Sequence, residues 1–91
     1  MPPKKPVRKI VLTATAREDL AFWEQTNPNI ILKINTILES VLVDPQSGIG
    51  KPEKLKYELS RAWSRRINHI HRIVYEIHGE TVVVLQLRDH Y

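Results

Sequence analysis

Apolar residues in the first half of the chain recur with the period of an amphipathic helix, behind one short strand-like run. The run VRKIVL at residues 7–12 is rich in β-branched residues, which indicates a strand. A helix is predicted over residues 14–25, because Ala16, Leu20 and Trp23 would then share one face. This first helix therefore has an apolar stripe to bury against another element.

A second helical pattern begins after the break at TNPN. Thr13 is a suitable N-cap for the first helix, and Pro28 suits the opening turn of a second helix that runs to about Val43. The apolar positions of this second helix are Ile30, Ile31, Ile34, Ile37, Leu38, Val41 and Leu42. Two successive amphipathic helices predict an antiparallel pair that must cover a further apolar surface.

The second half of the chain carries the patterns of β-strands. Strands are predicted at about residues 62–67, 70–77 and 81–88, joined by short hairpin connections at NHI and HGE. Residues 44–56 hold two glycines, two prolines and three lysines, which predicts a surface loop with at most one helical turn. The expected fold is α+β, with two helices packed on one face of a four-stranded, mainly antiparallel sheet in the order β-α-α-β-β-β.

Side chains alternate along a strand, and this alternation predicts an apolar face and a cationic face for the sheet. The odd-numbered residues from Ile73 to Ile77 point one way, whereas Arg72 points the other. Pairing of Ile77 with Thr81 would place Gln86 opposite Arg72. The polar residues predicted on the cationic face are Arg66, Arg72, Gln86, Arg88 and His90. In the last strand, Val82 and Val84 are predicted on this same face, and Val83, Leu85 and Leu87 on the apolar face.

A cationic sheet face has more than one possible meaning. Open faces of small antiparallel sheets are often charged simply for solubility. Arg72 also has a local partner within reach, because Glu76 lies two residues away on the same strand face. The residue pattern alone leaves these alternatives open beside an anion-binding surface.

The histidines and aromatic residues of the second half have mostly structural interpretations. His69, His71 and His78 lie in or beside turns, so structural or exposed positions are expected for them. Trp63 and Tyr75 are expected to pack in the core or a hairpin rather than to stack on bases. His90 differs from the other histidines only by its place at the end of the chain.

Composition narrows the class of protein without selecting a function. A chain of 91 residues with 42% hydrophobic content is expected to form one domain, with residues 1–6 as a basic arm that either touches a phosphate backbone or stays flexible. The absence of cysteine excludes disulfides, a thiolate nucleophile and a zinc–thiolate site. The net charge is +4, and eight of the fourteen Lys and Arg residues lie at or after Lys51, which points to an anionic ligand for the second half.

Membrane insertion and secretion are not expected from the sequence. No apolar stretch approaches the ~20 residues that span a bilayer, and the first residues lack the apolar stretch of a secretory signal. The chain is therefore predicted to be soluble and cytoplasmic.

Four motifs resemble those of the YoeB-type toxins of the RelE superfamily, which belong to bacterial toxin–antitoxin modules. They are GKPEKLK at residues 50–56, WSRRIN at 63–68, HRIVYEI at 71–77 and the terminal pair His90-Tyr91. Each motif alone is weak, but their order and spacing together are specific, and the similarity runs from about Leu20 to the last residue. The resemblance implies the same two-helix, four-stranded fold.

The resemblance also implies an activity, namely metal-independent and cofactor-independent cleavage of messenger RNA in the ribosomal decoding site. By their places in the motifs, Glu53 corresponds to the general base, Arg72 to the phosphate-binding arginine and His90 to the general acid. Tyr91 corresponds to a tyrosine that positions the substrate base or packs on it. The implied RNA-facing cations are Lys51, Lys56, Arg65, Arg66 and Arg88. The implied partners are a cognate antitoxin, the ribosome with its messenger RNA, and a second copy of the chain in a homodimer.

Two features and two alternative functions qualify this interpretation. Asp89 places an anion inside the terminal motif, where it either weakens RNA contact or holds a neighbouring arginine, and the arm before Val7 is longer than usual. A related fold in the superfamily poisons DNA gyrase by binding it, which would require neither the Glu53 motif nor a terminal His-Tyr pair. A degenerate toxin retained as an antitoxin partner or co-repressor is the other alternative, and the intact set of Glu53, Arg72 and His90 argues against it.

Overall fold

The predicted order of elements is confirmed with one strand added, in a computed structural model that describes residues 9–56 and 61–89. The elements are β1 Lys9–Leu12, α1 Ala14–Thr26, α2 Pro28–Val43, β2 Glu53–Lys54, β3 Ala62–Arg66, β4 Arg72–His78 and β5 Thr81–Gln86. The predicted basic arm lies outside the described residues. Within the described ranges, no helix is both long enough and apolar enough to cross a bilayer.

Both helices begin where the local chemistry favours it. The hydroxyl oxygen of Thr13 accepts a hydrogen bond from the backbone N–H of Ala16 at 3.2 Å, which confirms the predicted N-cap. Pro28 occupies the first turn of α2, where its missing N–H is not needed. The two helix predictions therefore agree with the structure to within a residue at each end.

The sheet has five strands in the order β1-β5-β4-β3-β2, so the predicted count of four was one short. The added strand is β2, in which Glu53 pairs antiparallel with Ser64 and Lys54 pairs with Trp63. A two-residue strand is too short to produce an alternating pattern, and it exists because β3 offers it a free edge. The pairing of β1 with β5 is parallel and the others are antiparallel, as the prediction of a mainly antiparallel sheet required.

The helices cover one face of the sheet and form the main core with it. Its buried residues are Ala16, Trp23, Ile34, Ile37 and Val41 from the helices, and Ile67, Ile73, Tyr75, Val82, Val84 and Leu87 from the sheet side. The opposite face, called the open face below, carries a small apolar cluster of Leu55, Ala62 and Val74 with Leu85 packed against it. Polar side chains are therefore left mainly to the edges of the open face.

The predicted register between the last two strands was wrong by one residue. His78 pairs with Thr81, so the turn holds two residues rather than three, with Gly79 at a φ of +61° that suits the first position of such a turn. Val82 and Val84 consequently point into the core, whereas Leu85 packs on the open face. A bulge next to Val74 then shifts the register again, so that Gln86 lies opposite Val74 and not opposite Arg72.

Candidate active site

Two arginines stand side by side at one end of the open face. Arg66 is the direct cross-strand partner of Arg72, which confirms the predicted neighbourhood of these residues. The Nη1 group of Arg72 donates to the carbonyl oxygens of Asn68 at 2.7 Å and of His71 at 3.1 Å. Like charges placed directly opposite each other are unfavourable by themselves, so the pair is best satisfied by an anion lying between them.

The pairing of Arg72 with Glu76, which was the local alternative, is not what the structure shows. The Oε1 atom of Glu76 lies 2.8 Å from the Nε2 atom of His78, while the guanidinium of Arg72 bonds to backbone carbonyls. The guanidinium of Arg72 is thus turned toward the hairpin at the start of β4. These bonds hold the guanidinium in place, and none of the described carboxylates forms an ion pair with it.

Glu53 lies on the same face of the sheet as the arginine pair. It pairs with Ser64, which is two residues before Arg66 on β3, and Ser64 in turn pairs with Val74, which is two residues after Arg72 on β4. Two strand spacings and two residues of offset put the Cα atoms of Glu53 and Arg72 roughly 12 Å apart. The exposed carboxylate of Glu53 and the arginine pair therefore lie near each other on the open face.

The loop before Glu53 is tied to the strand that carries Arg66. The backbone N–H of Arg66 donates to the carbonyl oxygen of Gly50 at 2.6 Å. Gly50 has a φ of +82°, which favours glycine, and a Cβ there would also lie in tight contact, 3.1 Å from the Cβ of Arg65. Lys51 follows it with a φ of +50° and an exposed side chain, and Lys56 is exposed beyond β2. Both lysines are available to an anionic ligand.

Arg65 is not an RNA-facing cation, and that prediction was wrong. Its side chain is fully buried, and its guanidinium makes five hydrogen bonds, one for each of its N–H groups. The acceptors are the hydroxyls of Tyr75 and Ser40 and the carbonyl oxygens of Asp44, Ser47 and Ile49, at 2.6 to 3.1 Å. Arg65 therefore holds the loop between α2 and Gly50 together. Strand alternation carried the signal, since Arg65 and Arg66 must point to opposite faces.

Tyr75 completes the buried cluster around Arg65. Its hydroxyl donates to the carbonyl oxygen of Pro45 at 2.6 Å and accepts from the Nε group of Arg65 at 3.0 Å. Burial raises the pKa of the Tyr75 phenol, and the nearby guanidinium of Arg65 offsets part of that rise. Tyr75 is thus a core residue, and Trp63 packs partly buried against the same core, as expected for both.

The end of the described chain is held by contacts from α1 and from the start of β4. The indole Nε1 of Trp23 donates to the carbonyl oxygen of Leu87 at 2.9 Å, and the backbone N–H of Leu87 donates to the Oδ2 atom of Asp19 at 3.0 Å. Two residues later, the N–H of Asp89 donates to the Nδ1 atom of His71 at 2.8 Å, and its carbonyl oxygen accepts from the N–H of Arg72 at 3.1 Å. These four hydrogen bonds are called the terminal clamp below.

Arg88 does not continue the row of the open face, contrary to the prediction. Its guanidinium carbon lies 4.1 Å from the centre of the Phe22 ring on α1, and its Nε atom lies 3.5 Å from a carboxylate oxygen of Asp89. Asp89 has a φ of +67°, so the chain turns at this residue and the simple alternation of the strand ends before it. Contact of Arg88 with RNA stays a prediction. His90 and Tyr91 lie outside the described residues.

Sequence reasoning missed the three side chains of the terminal clamp. Trp23 was assigned only to the apolar face of the first helix, and His71 was expected to be structural or exposed. The spacing of Asp19 and Trp23, four residues apart on one helix face, was a usable signal because it places two polar groups together. Their target, the backbone of Leu87, carries no signal in the sequence.

A groove of about 740 Å³ adjoins the arginine pair on its other side. Leu32 and Ile49, which are 68% and 48% exposed, form apolar walls, and Lys33, Lys51 and Arg66 supply the charge. None of the described residues that line the groove is acidic. Arg66 is therefore shared between the groove and the open face.

Comparison with known proteins shows the family. The model of the YoeB-like toxin of bacterial type II toxin–antitoxin systems matches residues 12–91. The chain belongs to the YoeB-like toxin family. A toxin YoeB from Streptomyces coelicolor is 39% identical over 83 residues, which cover 91% of this chain and 99% of the relative.

Solved structures of YoeB proteins share the fold described above. A YoeB/ParE toxin from Agrobacterium tumefaciens superposes with a TM-score of 0.89 at 38% identity, covering 92% of this chain and 100% of that one. A heterotetrameric YoeB–YefM toxin–antitoxin complex from Staphylococcus aureus gives 0.83 at 38% identity, with 90% and 95% covered. A YoeB dimer from the same organism gives 0.82 at 38% identity, with 93% and 99% covered. Two helices packed on one face of the sheet are thus a property of this YoeB-like toxin and of its relatives.

Proposed function

We propose that this YoeB-like toxin is an endoribonuclease that cuts messenger RNA in the decoding site of the ribosome, without a metal ion. The observation that carries the proposal is the pair Arg66 and Arg72 on the same face as Glu53, with the backbone of Arg72 bonded to the residue before His90. This arrangement supports a phosphate site beside a carboxylate at one end of the sheet, next to the residue that precedes His90. Proton transfer by two groups, here Glu53 and His90, is what metal-free RNA cleavage requires.

The proposed reaction is an attack by the ribose on its own phosphate. Glu53 takes the proton of the 2′-hydroxyl as that oxygen bonds to phosphorus. The bond from phosphorus to the 5′-oxygen breaks, and His90 supplies a proton to this leaving oxygen. The products are a 2′,3′-cyclic phosphate and a 5′-hydroxyl end. Each proton transfer contributes a factor of ~10² to 10⁴ in rate.

The cations of the site stabilise the charge that builds on the phosphate. Arg72 is the principal phosphate contact, since its guanidinium is pre-oriented by two backbone carbonyls. Arg66, Lys51 and Lys56 are exposed and extend the positive surface along the RNA, and Arg88 is a further candidate. Tyr91 positions the substrate base or packs on it.

We further propose that a cognate antitoxin neutralises the chain by occupying the groove beside the arginine pair. Relatives form a YoeB–YefM complex and a YoeB dimer, so both kinds of assembly are proposed here. Exposed aliphatic walls with a cationic rim complement an acidic segment that carries apolar residues. Such a segment would compete with RNA for Arg66, which lines both surfaces. A cytoplasmic location follows from the proposed ribosomal target.

The test is cleavage of messenger RNA in a purified translation system, with mapping of the RNA ends. Glu53→Gln, Arg72→Ala and His90→Gln are each expected to lose at least ~10² in cleavage rate while ribosome binding persists. Matched controls are Glu39→Gln and Arg17→Ala, which change the same residue types at exposed helix positions. The controls are expected to cleave like the original chain.

The same assay separates the alternatives. Absence of any ribosome-dependent cut by the original chain contradicts the proposal. Inhibition of DNA gyrase in place of cleavage would support the gyrase-binding alternative. Survival of cleavage in all three site variants would show that another set of residues performs the chemistry.

A further inference from the structure

The terminal clamp connects three parts of the molecule at the last described residues. Trp23 and Asp19 of α1 hold both backbone groups of Leu87, and His71 holds the N–H of Asp89. The carbonyl oxygen of Asp89 accepts from the backbone of Arg72, the residue proposed to bind the scissile phosphate. The clamp thus fixes the chain up to the peptide bond that leads to His90.

We propose that His71 is a positioning residue, which acts with Trp23 and Asp19 to present the terminal His90 to the phosphate on Arg72. This inference rests on the proposed function. It assigns no contact with substrate to His71, whose Nδ1 atom lies 2.8 Å from the backbone nitrogen of Asp89 and whose ring packs against Trp23. The role of His71 is to supply one hydrogen-bond acceptor at one place.

The ring of His71 is held in the orientation that this role needs. Its side chain is only 17% exposed, and its plane meets the Trp23 ring edge to face, with centroids 4.7 Å apart and an interplanar angle of 81°. Because Nδ1 accepts from Asp89, the ring hydrogen is assigned to Nε2. Trp23 therefore contributes twice, through its own hydrogen bond to Leu87 and by packing against His71.

The conformation of Asp89 shows why its backbone needs hydrogen-bond partners at this point. A φ of +67° is uncommon for a residue with a side chain and is held only where surrounding contacts favour it. Here the N–H and C=O of Asp89 are both engaged, by His71 and by Arg72. Without the acceptor on His71, the chain would relax at Asp89 and move the general acid relative to the phosphate. A misplacement of about 1 Å can cost ~10² in rate.

Three variants of His71 separate its acceptor from its bulk. In asparagine an oxygen lies the same number of bonds from Cα as Nδ1 does, in leucine a methyl carbon lies there, and in glutamine the oxygen is one bond further out. We expect His71→Leu and His71→Gln to lower ribosome-dependent cleavage about 10- to 100-fold, with unchanged ribosome binding. We expect the cleavage rate of His71→Asn to stay within about fivefold of the rate of the original chain. About fivefold is the factor that corresponds to the net free energy of one hydrogen bond. Thermal unfolding of each variant controls for loss of fold.

A second readout does not depend on cleavage. Hydrogen exchange and ¹⁵N relaxation of the Asp89 amide report directly on whether the chain end is held. We expect the protection of this amide to fall in His71→Leu and to persist in His71→Asn. If His71→Leu does not fold, Trp23→Phe removes the donor to Leu87 while keeping an aromatic ring, and the same loss of protection and of rate is expected.

The outcomes distinguish this inference from the proposed function. Equal cleavage by His71→Leu and the original chain would overturn the positioning role, and so would equal loss in the Asn and Leu variants. If the original chain does not cleave at all, the proposed function fails. Hydrogen exchange at the Asp89 amide then tests the terminal clamp independently of cleavage. Unchanged protection of this amide in His71→Leu would refute the role of His71 in holding the chain end.

Discussion

Arg65 and Arg66 are neighbours on β3, yet one is part of the core and the other part of the open surface. The guanidinium of Arg65 is fully buried, with a hydrogen bond for each of its five N–H groups. Arg66 is exposed beside Arg72 and reaches the groove that adjoins it. The charge of an arginine therefore predicts little about its role, whereas the face of the strand on which it lies predicts a great deal.

The two arginines also stabilise different things. Arg65 bonds to three carbonyl oxygens of the loop after α2, so it determines the shape of the segment that leads to Lys51 and Glu53. Arg66 stands opposite a like charge and gains little until an anion arrives. Arg65 thus shapes the loop that leads to Glu53, whereas Arg66 is proposed to contact the RNA directly.

The largest expected effect is on Arg65. Arg65→Met keeps much of the buried volume but removes every donor, so all five of these hydrogen bonds are lost. We expect the free energy of unfolding to fall by about 3 to 5 kcal/mol, measured by urea denaturation. Arg65→Lys should recover only part of this, because an ammonium cannot reproduce the geometry of a guanidinium.

The matched control is the same substitution one residue later. Arg66→Met removes a surface side chain that faces Arg72, so its free energy of unfolding should change by less than about 0.5 kcal/mol, with a slight gain in stability. Similar losses in both variants would contradict the contrast between the two faces.

An intermediate effect is expected at Tyr75, which bonds to Arg65 in the core. Tyr75→Phe leaves the Nε group of Arg65 without an acceptor and the carbonyl oxygen of Pro45 without a donor. A loss of about 1 to 3 kcal/mol in the free energy of unfolding is expected from the stranded polar groups. The position of Arg66 on the open face should not change in Tyr75→Phe. Cleavage by this variant should therefore persist under conditions that stabilise the fold.

Tyr75 also predicts how stability depends on pH. Because burial raises the pKa of its phenol above the unfolded value of 10.0, the folded chain retains this proton at pH values where the unfolded chain releases it. This contribution to stability is fully present below about pH 10 and is lost as pH rises toward the folded pKa. Urea denaturation between pH 8 and about 11 should show a decline that is smaller in Tyr75→Phe, and identical slopes would contradict the assignment.

The smallest effect is expected for Arg66 in the proposed activity. Arg66→Ala removes one exposed phosphate contact, so cleavage should fall by about tenfold or less, well below the loss in Arg72→Ala. The salt dependence of RNA binding should become shallower by about one phosphate contact. Equal losses in the two variants would show that the pair acts as a unit rather than as a principal and an auxiliary cation.

Much of the fold was predictable because helices and strands follow from the local spacing of apolar residues. The helix bounds followed from apolar spacing, from Thr13 as the N-cap and from Pro28 in the first turn. The neighbourhood of Arg66 and Arg72 followed from a short turn after Ile67. The placement of Glu53 beside them did not follow, because β2 is too short to have a pattern and depends on the free edge of β3.

The register of the last hairpin and the burial of Arg65 show where local reasoning ends. One residue more or fewer in the turn at Gly79 exchanges the two faces of β5, and a bulge near Val74 exchanges them again. Both choices are made by packing against the helices, which takes Val82 and Val84 into the core. Arg65 could have been assigned by alternation alone, but its five acceptors come from distant segments that only the folded chain brings together.

The helices, most of the strands, the family and the residues proposed for catalysis could be predicted before folding was considered, because they depend on spacing along the chain and on motifs. Only the folded chain shows which acceptors surround Arg65, how the loop before Glu53 is held and how the chain end is tied to Arg72. The physical reason is that these features rest on hydrogen bonds to backbone groups far away in sequence. A backbone carbonyl or N–H is the same at almost every position, so no residue pattern indicates which backbone group a side chain will form a hydrogen bond with.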